Sequence, residues 1–241
     1  MPASNQSFRN ESRERSCDQH VYRNIGNLGL LELASLNRRG SALDLGCGAG
    51  DNARILVNRG WKVCGITLNR GEQESAAQVC TDVWVHDLED GLPEDLTGPF
   101  DLIVLSHVVE HLRNTKSLLR QIHKILAPNG EIAVAVPNVL NWHQRVLFLF
   151  GKFEYTNEGI MDSTHLAFYT YGSARRMIES CGFKVVKAGA DGNILPWGNL
   201  RRVFPRATTA INRFFCTLRP SLFGRQLLYL AVPDGSRANH L

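Results

Sequence analysis

Ser41-Ala42-Leu43-Asp44-Leu45-Gly46-Cys47-Gly48-Ala49-Gly50 is the stretch that decides the fold. A short apolar run ends in three alternating glycines, and the residues beyond, Asp51 to Arg59, have the pattern of a helix. The run therefore reads as a strand. Alternating glycines let the backbone turn sharply and approach a ligand closely, and the helix N-terminus that follows favours negative charge. The spacing is G-x-G-x-G, not the G-x-G-x-x-G of a dinucleotide-binding turn. An acid, Asp44, precedes the first glycine by two residues, within reach of a cationic group directly or through water. The plainer alternative is a glycine turn that only packs a helix on a strand.

Outward from this stretch the pattern repeats. Trp61–Thr67 reads as a second strand and Arg70–Val79 as its helix; Asp82–His86 is a short third strand. Phe100–Ser106 is apolar enough for burial on both faces. Leu112–Leu126 carries leucine and isoleucine at helical spacing, Pro128-Asn129-Gly130 makes a turn, and Glu131–Pro137 is the fifth strand. A helix near Tyr171–Cys181, a strand at Phe183–Ala190, a basic helical stretch and a last strand at Gln226–Val232 complete the chain. Strands alternating with helices at this rhythm predict an α/β fold, with a doubly wound, mostly parallel, seven-stranded sheet. Residues 1–17 read as a mobile tail, with a helix following from Asp18 to Arg38. Residues 18–241 read as one domain, with an insert over about 138–170 and a basic segment over about 198–225.

Hydrophobic residues make up 44% and charged residues 21% of the 241, ordinary values for a globular protein. A net charge of +4 is too mild to imply a nucleic-acid partner. The six cysteines (Cys17, Cys47, Cys64, Cys80, Cys181 and Cys216) contain no CxxC pair, which argues against a zinc site and fits a reducing compartment. The polar N-terminus lacks the apolar core of a secretory signal, and no run is long enough to span a membrane. The expectation is a soluble, cytoplasmic protein.

Leu43–Gly50 closely resembles motif I of class I methyltransferases that use S-adenosylmethionine (SAM). The resemblance continues at His86-Asp87-Leu88, Phe100-Asp101-Leu102-Ile103 and Leu126-Ala127-Pro128-Asn129-Gly130-Glu131. A second stretch, Pro137-Asn138-Val139 and then Gly159 to Thr170 (GIMDSTHLAFYT), looks like the PNV and D-x-T-H-L-x-F-Y-T signatures of bacterial glycan and small-molecule methyltransferases. The resemblance implies a Rossmann-like fold with SAM as cofactor. It implies that Asp44, Gly46, Cys47, Gly48 and Gly50 cradle the methionine part, and that Asp87 and Leu88 bind adenine. Ser106 and His107 would lie beside the sulfonium. The family usually ends its second strand in an acid that binds the ribose. Here Gly65-Ile66-Thr67-Leu68-Asn69 stands instead, leaving Thr67, with Leu68, a weaker contact.

On the acceptor side, methyl transfer needs alignment above all, and a hydroxyl acceptor also has a proton to lose. His165 is the expected base, with Asp162 orienting its imidazole or hydrogen-bonding the acceptor; the competing reading makes Asp162, Thr164 and His165 a local turn and helix cap. His107 and His111 flank Glu110, but the order is not HExxH and the sequence offers no third ligand, so no metal is expected. Cys47 and Cys64 fit small core residues better than nucleophiles. Asn141–Tyr155 forms an acceptor lid or wall, or else packs on the core or a second copy. Arg201 to Arg225 holds six arginines and no acid, with Phe204, Phe214, Phe215 and Leu218 between them. Such a stretch suits a phosphorylated acceptor, an anionic membrane surface, or simply solvent. The leading function is O-methylation of a small-molecule or glycan acceptor. The alternatives are a quinone or lipid methyltransferase at a membrane surface, and a non-catalytic partner protein similar to MetW. The oligomeric state is not fixed by the sequence.

Overall fold

A computed structural model describes residues 25–34, 39–194 and 202–235. The expected tail over 1–17 lies outside these residues, as do about half of the expected helix from Asp18 to Arg38 and the start of the basic segment. Within 25–34 the expected helix is cut short, because Gly26 has φ 71° and Asn27 caps a new turn by accepting from Leu30 N–H (3.1 Å). A short helix α1 spans Leu28–Leu31.

The sheet begins with β1 (Ser41–Leu45), β2 (Lys62–Thr67), β3 (Asp82–Val85), β4 (Phe100–Ser106) and β5 (Leu126–Pro137). It ends with β6 (Phe183–Asp191) and β7 (Gln226–Pro233). Their order is β3-β2-β1-β4-β5-β7-β6. The first five are parallel, while β7 runs antiparallel to both β5 and β6. The seven-stranded, mostly parallel sheet is the one expected.

Parallel strands need crossovers, and these cover both faces. Helices α2 (Asp51–Val57) and α3 (Arg70–Ala76), with α1, lie on one side; α4 (Thr115–Ile125) and α6 (Tyr171–Ser180) lie on the other. Along β4 the side chains divide accordingly. Ile103 and Leu105 join Leu118, Leu119, Ile122 and Ile178, whereas Leu102 and Val104 join Leu30, Leu31 and Leu56.

Several boundaries differ from expectation, and two of the differences have a clear local cause. Helix α4 starts at Thr115, not Leu112, because the Asn114 side chain caps it through Ser117 N–H and a 3₁₀ turn occupies Val109–His111. Strand β5 starts at Leu126, not Glu131. Leu126 pairs with Phe100 and Glu131 with Leu102, so Pro128–Gly130 bulges within one continuous strand.

The insert after β5 carries helix α5 (Trp142–Leu149), capped by Asn141. The following basic segment forms α7 (Pro205–Leu218) and α8 (Pro220–Phe223). Asn138 ties insert and segment together. It is fully buried, and its amide donates to Gly224 O (2.8 Å) and Ser221 O (3.1 Å) while its Oδ1 accepts from Leu140 N–H (3.1 Å). Its backbone N–H donates to Arg225 O (2.8 Å), and Val139 N–H donates to Tyr169 O (3.1 Å). The asparagine of the PNV stretch is thus a clasp for the loops beside the carboxyl ends of the strands.

Asn138→Ala leaves two carbonyls without their donor. It is expected to lower stability by about 1–3 kcal/mol, read as a lower urea midpoint; an unchanged midpoint would show that the clasp carries no stability.

Candidate functional site

Register decides which side chains leave the sheet together. Leu45 pairs with Ile66 on one side and Leu105 on the other, and Thr67 pairs with Val85. Gly46, Thr67, Asp87 and Ser106 therefore emerge along the carboxyl edge of four adjacent strands, where open parallel sheets bind ligands.

The glycine loop adopts the backbone that its sequence requires. Gly46, Gly48 and Gly50 have φ of 72°, 50° and 85°, all left-handed. A Cβ on Gly46 would lie 2.7 Å from Val108 Cγ2, and one on Gly50 would lie 3.2 Å from Ala76 Cα. Cys47 N–H donates to Ile66 O (2.8 Å), pinning the loop to β2. Burial pushes the Cys47 thiol well above its ordinary range, aided by the nearby Asp44 charge. It is a packed, protonated thiol.

Asp44 sits beneath this loop with no exposure, and neither carboxylate oxygen has a hydrogen-bond partner. Burial raises its pKa to about 7; the neighbouring Asn52 amide works against the rise without completing a hydrogen bond, and the Asp51 charge adds to it. A buried carboxylate without donors is costly. Its chemistry calls for a cationic hydrogen-bond donor, and the α-ammonium of a methionine-type ligand is one.

Thr67 is engaged within the protein. It is buried, and its hydroxyl donates to the carboxylate of Glu72, which is also buried in the first turn of α3. Asn69 caps that turn through Glu72 N–H (2.8 Å). The Thr67 hydroxyl hydrogen is thus spent inside the protein, on an acid in the first helical turn beyond β2. Leu68 beside it is 55% exposed. Asp87 is exposed and caps the 3₁₀ turn Leu88–Asp90, accepting from Glu89 N–H (2.9 Å) through Oδ1; Leu88 is buried.

At the end of β4, Ser106 Oγ accepts from Asn27 Nδ2 (3.1 Å), and His107 has φ 59°. His107 Nε2 meets Gln226 Oε1 (2.9 Å) and Nδ1 meets Glu110 Oε1 (3.2 Å). Surrounding protein disfavours charge on the ring although one edge is open to solvent. The Glu110 bond and charge, with the Gln226 bond, outweigh this and raise its pKa. Asn27 also donates to Gln226 Oε1 (2.8 Å), and its backbone N–H donates to Asn52 Oδ1 (2.7 Å). No motif in the sequence marked Asn27, Asn52, Glu72 or Gln226.

The insert reaches back to β4. Leu166 N–H and Ala167 N–H both donate to Glu110 O (2.8 and 3.1 Å). This brings His165 beside His111, ring centres 4.8 Å apart. His107 and His111 diverge, one toward Gln226 and the other toward the insert. Asp162 does not orient His165. Its Oδ1 accepts from Thr164 N–H (2.8 Å) and Thr164 Oγ1–H (2.7 Å), and Thr164 Oγ1 meets His111 Nδ1 (3.2 Å). His165 Nδ1 is held instead by Ile160 O (3.1 Å). Burial raises the Asp162 carboxyl, but the two Thr164 bonds and the histidine charges outweigh it and hold the carboxyl below its usual range. Burial lowers the His165 pKa, against an opposing pull from Glu110, so the ring is neutral near pH 7.

A methyltransferase-domain family model matches residues 17–188. The chain is 26% identical over 110 residues to a ubiquinone biosynthesis O-methyltransferase of Pseudomonas paraeruginosa, covering 41% of this chain and 44% of that protein. It is 32% identical over 113 residues to a trans-aconitate 2-methyltransferase of Azoarcus, covering 45% and 43%. The chain thus spans less than half the length of these curated relatives. Among solved structures, a SAM-dependent methyltransferase of Archaeoglobus fulgidus shares the fold with a TM-score of 0.59 at 18% identity, over 94% of this chain and 99% of that one.

Gly50→Ala must hold an L side chain at a left-handed φ against Ala76. A loss of about 1–2 kcal/mol of stability is expected, read from thermal or denaturant unfolding; an unchanged midpoint would mean that the loop relaxes freely.

Proposed function

As this chain belongs to the family of methyltransferase domains, we propose that it transfers the methyl group of SAM to a hydroxyl of a small-molecule or glycan acceptor. The observation that carries the cofactor half is Asp44, a carboxylate closed off from water and lacking a protein donor beneath a glycine loop. The SAM ammonium completes it. Gly46, Cys47, Gly48 and Gly50 line the methionine part. Asp87, through its second oxygen, and the Leu88 backbone read the adenine. Glu72 takes over the ribose side from Thr67 and Leu68, and Ser106 and His107 flank the sulfonium. When bound, SAM supplies an activated methyl carbon, so the protein's task is mainly alignment.

The acceptor half rests on the insert. His165 is neutral and tied at Nδ1, which leaves the lone pair on Nε2, and Asp162 organises the same loop through Thr164. This is where an acceptor hydroxyl gives up its proton.

An acceptor carried at a membrane surface is the second reading. Leu149, Phe150, Phe153 and Tyr155 beside α5 are exposed, as are Phe204 and Phe214 among the arginines of α7. No helix among the described residues is long and apolar enough to cross a membrane. Methyl-labelled SAM offered to fractionated bacterial extracts tests these readings. Label in a water-soluble glycan or metabolite supports the first, and label in the lipid fraction the second. SAM bound without any transfer supports a partner-protein role.

Two further outcomes are expected. Below pH 7 the free Asp44 carboxyl holds a proton that ammonium binding must expel, so SAM affinity should rise roughly tenfold per pH unit from about 5 to 7 and then level off. Asp51 and the thiols of Cys47 and Cys80 are the neighbouring titratable groups, and both thiols stay protonated over this range. Calorimetry across pH checks this; a flat profile, or one unchanged in Asp44→Asn, contradicts the pairing. His165→Ala should retain SAM affinity and lose roughly 10²–10⁴-fold in kcat. A near-parental kcat would return His165 to a turn-forming role.

A further inference from the structure

Glu110, His111 and His165 each offer one ligand atom, and the three atoms lie within 4.8 Å of one another. The sequence alone supplied two of these neighbours; the third comes from the insert, more than fifty residues away. We propose that these three side chains bind a first-row divalent transition-metal ion, which holds and acidifies the acceptor hydroxyl. The inference rests on the methyltransferase reading for its chemical role, though not for the site itself.

Three observations support it. The first is Glu110. Its side chain is 1% exposed, and while Oε1 meets His107, Oε2 is buried with no hydrogen-bond partner. A second oxygen left bare in the interior is costly, and a cation removes the cost.

The second is the tautomer of both rings. Ile160 O can only accept, so His165 Nδ1 carries the hydrogen and Nε2 the lone pair. Thr164 gives its hydroxyl hydrogen to Asp162, so Thr164 Oγ1 accepts from His111 Nδ1–H, and again Nε2 keeps the lone pair. Metal-binding histidines characteristically donate their other ring N–H to a carbonyl, a carboxylate or a group backed by one. Here one ring uses a carbonyl and the other a Thr–Asp relay.

The third is the donor set. Two imidazoles and one carboxylate suit Mn, Fe, Co, Ni or Zn and leave positions open for a ligand. A cation at about 2.0–2.2 Å from each donor would draw these atoms, now within 4.8 Å of one another, closer together.

The consequence for the reaction is specific. With both Nε2 lone pairs on the cation, His165 acts on the acceptor through the metal. The bound hydroxyl becomes more acidic and its proton passes to water. The oxygen lone pair forms the O–C bond, the C–S bond breaks, and its electron pair returns to sulfur as a neutral thioether. An acceptor with two adjacent oxygens, a catechol or a vicinal diol, could occupy two open positions and so be favoured.

The test uses the full chain, stripped with a chelator and titrated calorimetrically with Mn²⁺, Co²⁺ and Zn²⁺ alone, followed by the visible spectrum of the Co²⁺ form. One ion per chain is expected, with cobalt bands of nitrogen and oxygen ligation. His111→Ala and His165→Ala should each abolish those bands. Thr164→Val, which keeps both ligands and removes the relay, should weaken binding by about 10–100-fold. Each variant is checked for folding and for SAM affinity, which should be parental. No stoichiometric ion in the parent overturns the proposal, as does binding that the three variants leave intact. Methyl transfer that continues undiminished in chelator overturns its role in the reaction while sparing the methyltransferase reading. Conversely, absent SAM binding would sink that reading, and the cobalt spectrum would still decide independently whether the metal site exists.

Discussion

Asp44 lies on an inner strand of a sheet covered on both faces, so its carboxylate can reach neither water nor a satisfied protein network. The covering layers that stabilise the fold are the same layers that strand this charge. A cationic hydrogen-bond donor is the kind of group that would offset the cost of that burial. The left-handed glycines, the bond from Cys47 to Ile66 O and the Asn27–Asn52 contact fix the loop and helix start above Asp44.

A second constraint governs the acceptor side. β5 and β7 run antiparallel, so β7 re-enters the sheet from the cofactor edge, bringing Gln226 to His107 and Arg225 to Asn138. The insert is thereby clamped at Asn138 and at Glu110 O. The clamping turns a loop into a wall that carries His165 to His111.

Much of this was legible in the sequence. The strands around Val104 and Val134 are continuous apolar runs that fit burial on both faces, and the glycine spacing marks the loop after the strand around Leu43. What the sequence concealed were pairings across distance. Thr67 reads as a weak substitute for a missing acid, and nothing in the spacing reveals that its hydroxyl is bonded to Glu72, five residues on. Asp162 and His165 are three apart and invite pairing, but the Thr164 hydroxyl intercepts the carboxylate and passes it to His111. Helix caps and loop bonds of this kind depend on side-chain direction, which spacing does not encode. The Pro128–Gly130 turn likewise hid a strand, because the pairing of Phe100 with Leu126 outlasts the bulge.

The fold and the glycine loop are those of a methyltransferase domain, and the central claim is that the buried Asp44 carboxylate exists to receive the ammonium group of SAM. A crystal structure of the protein with S-adenosylhomocysteine tests this most directly. The account predicts the ligand's amine at hydrogen-bonding distance, about 3 Å, from an Asp44 oxygen or linked to it by a single water. The sulfur should face Ser106 and His107. A ligand bound with its amine elsewhere, leaving Asp44 without a partner, would contradict it.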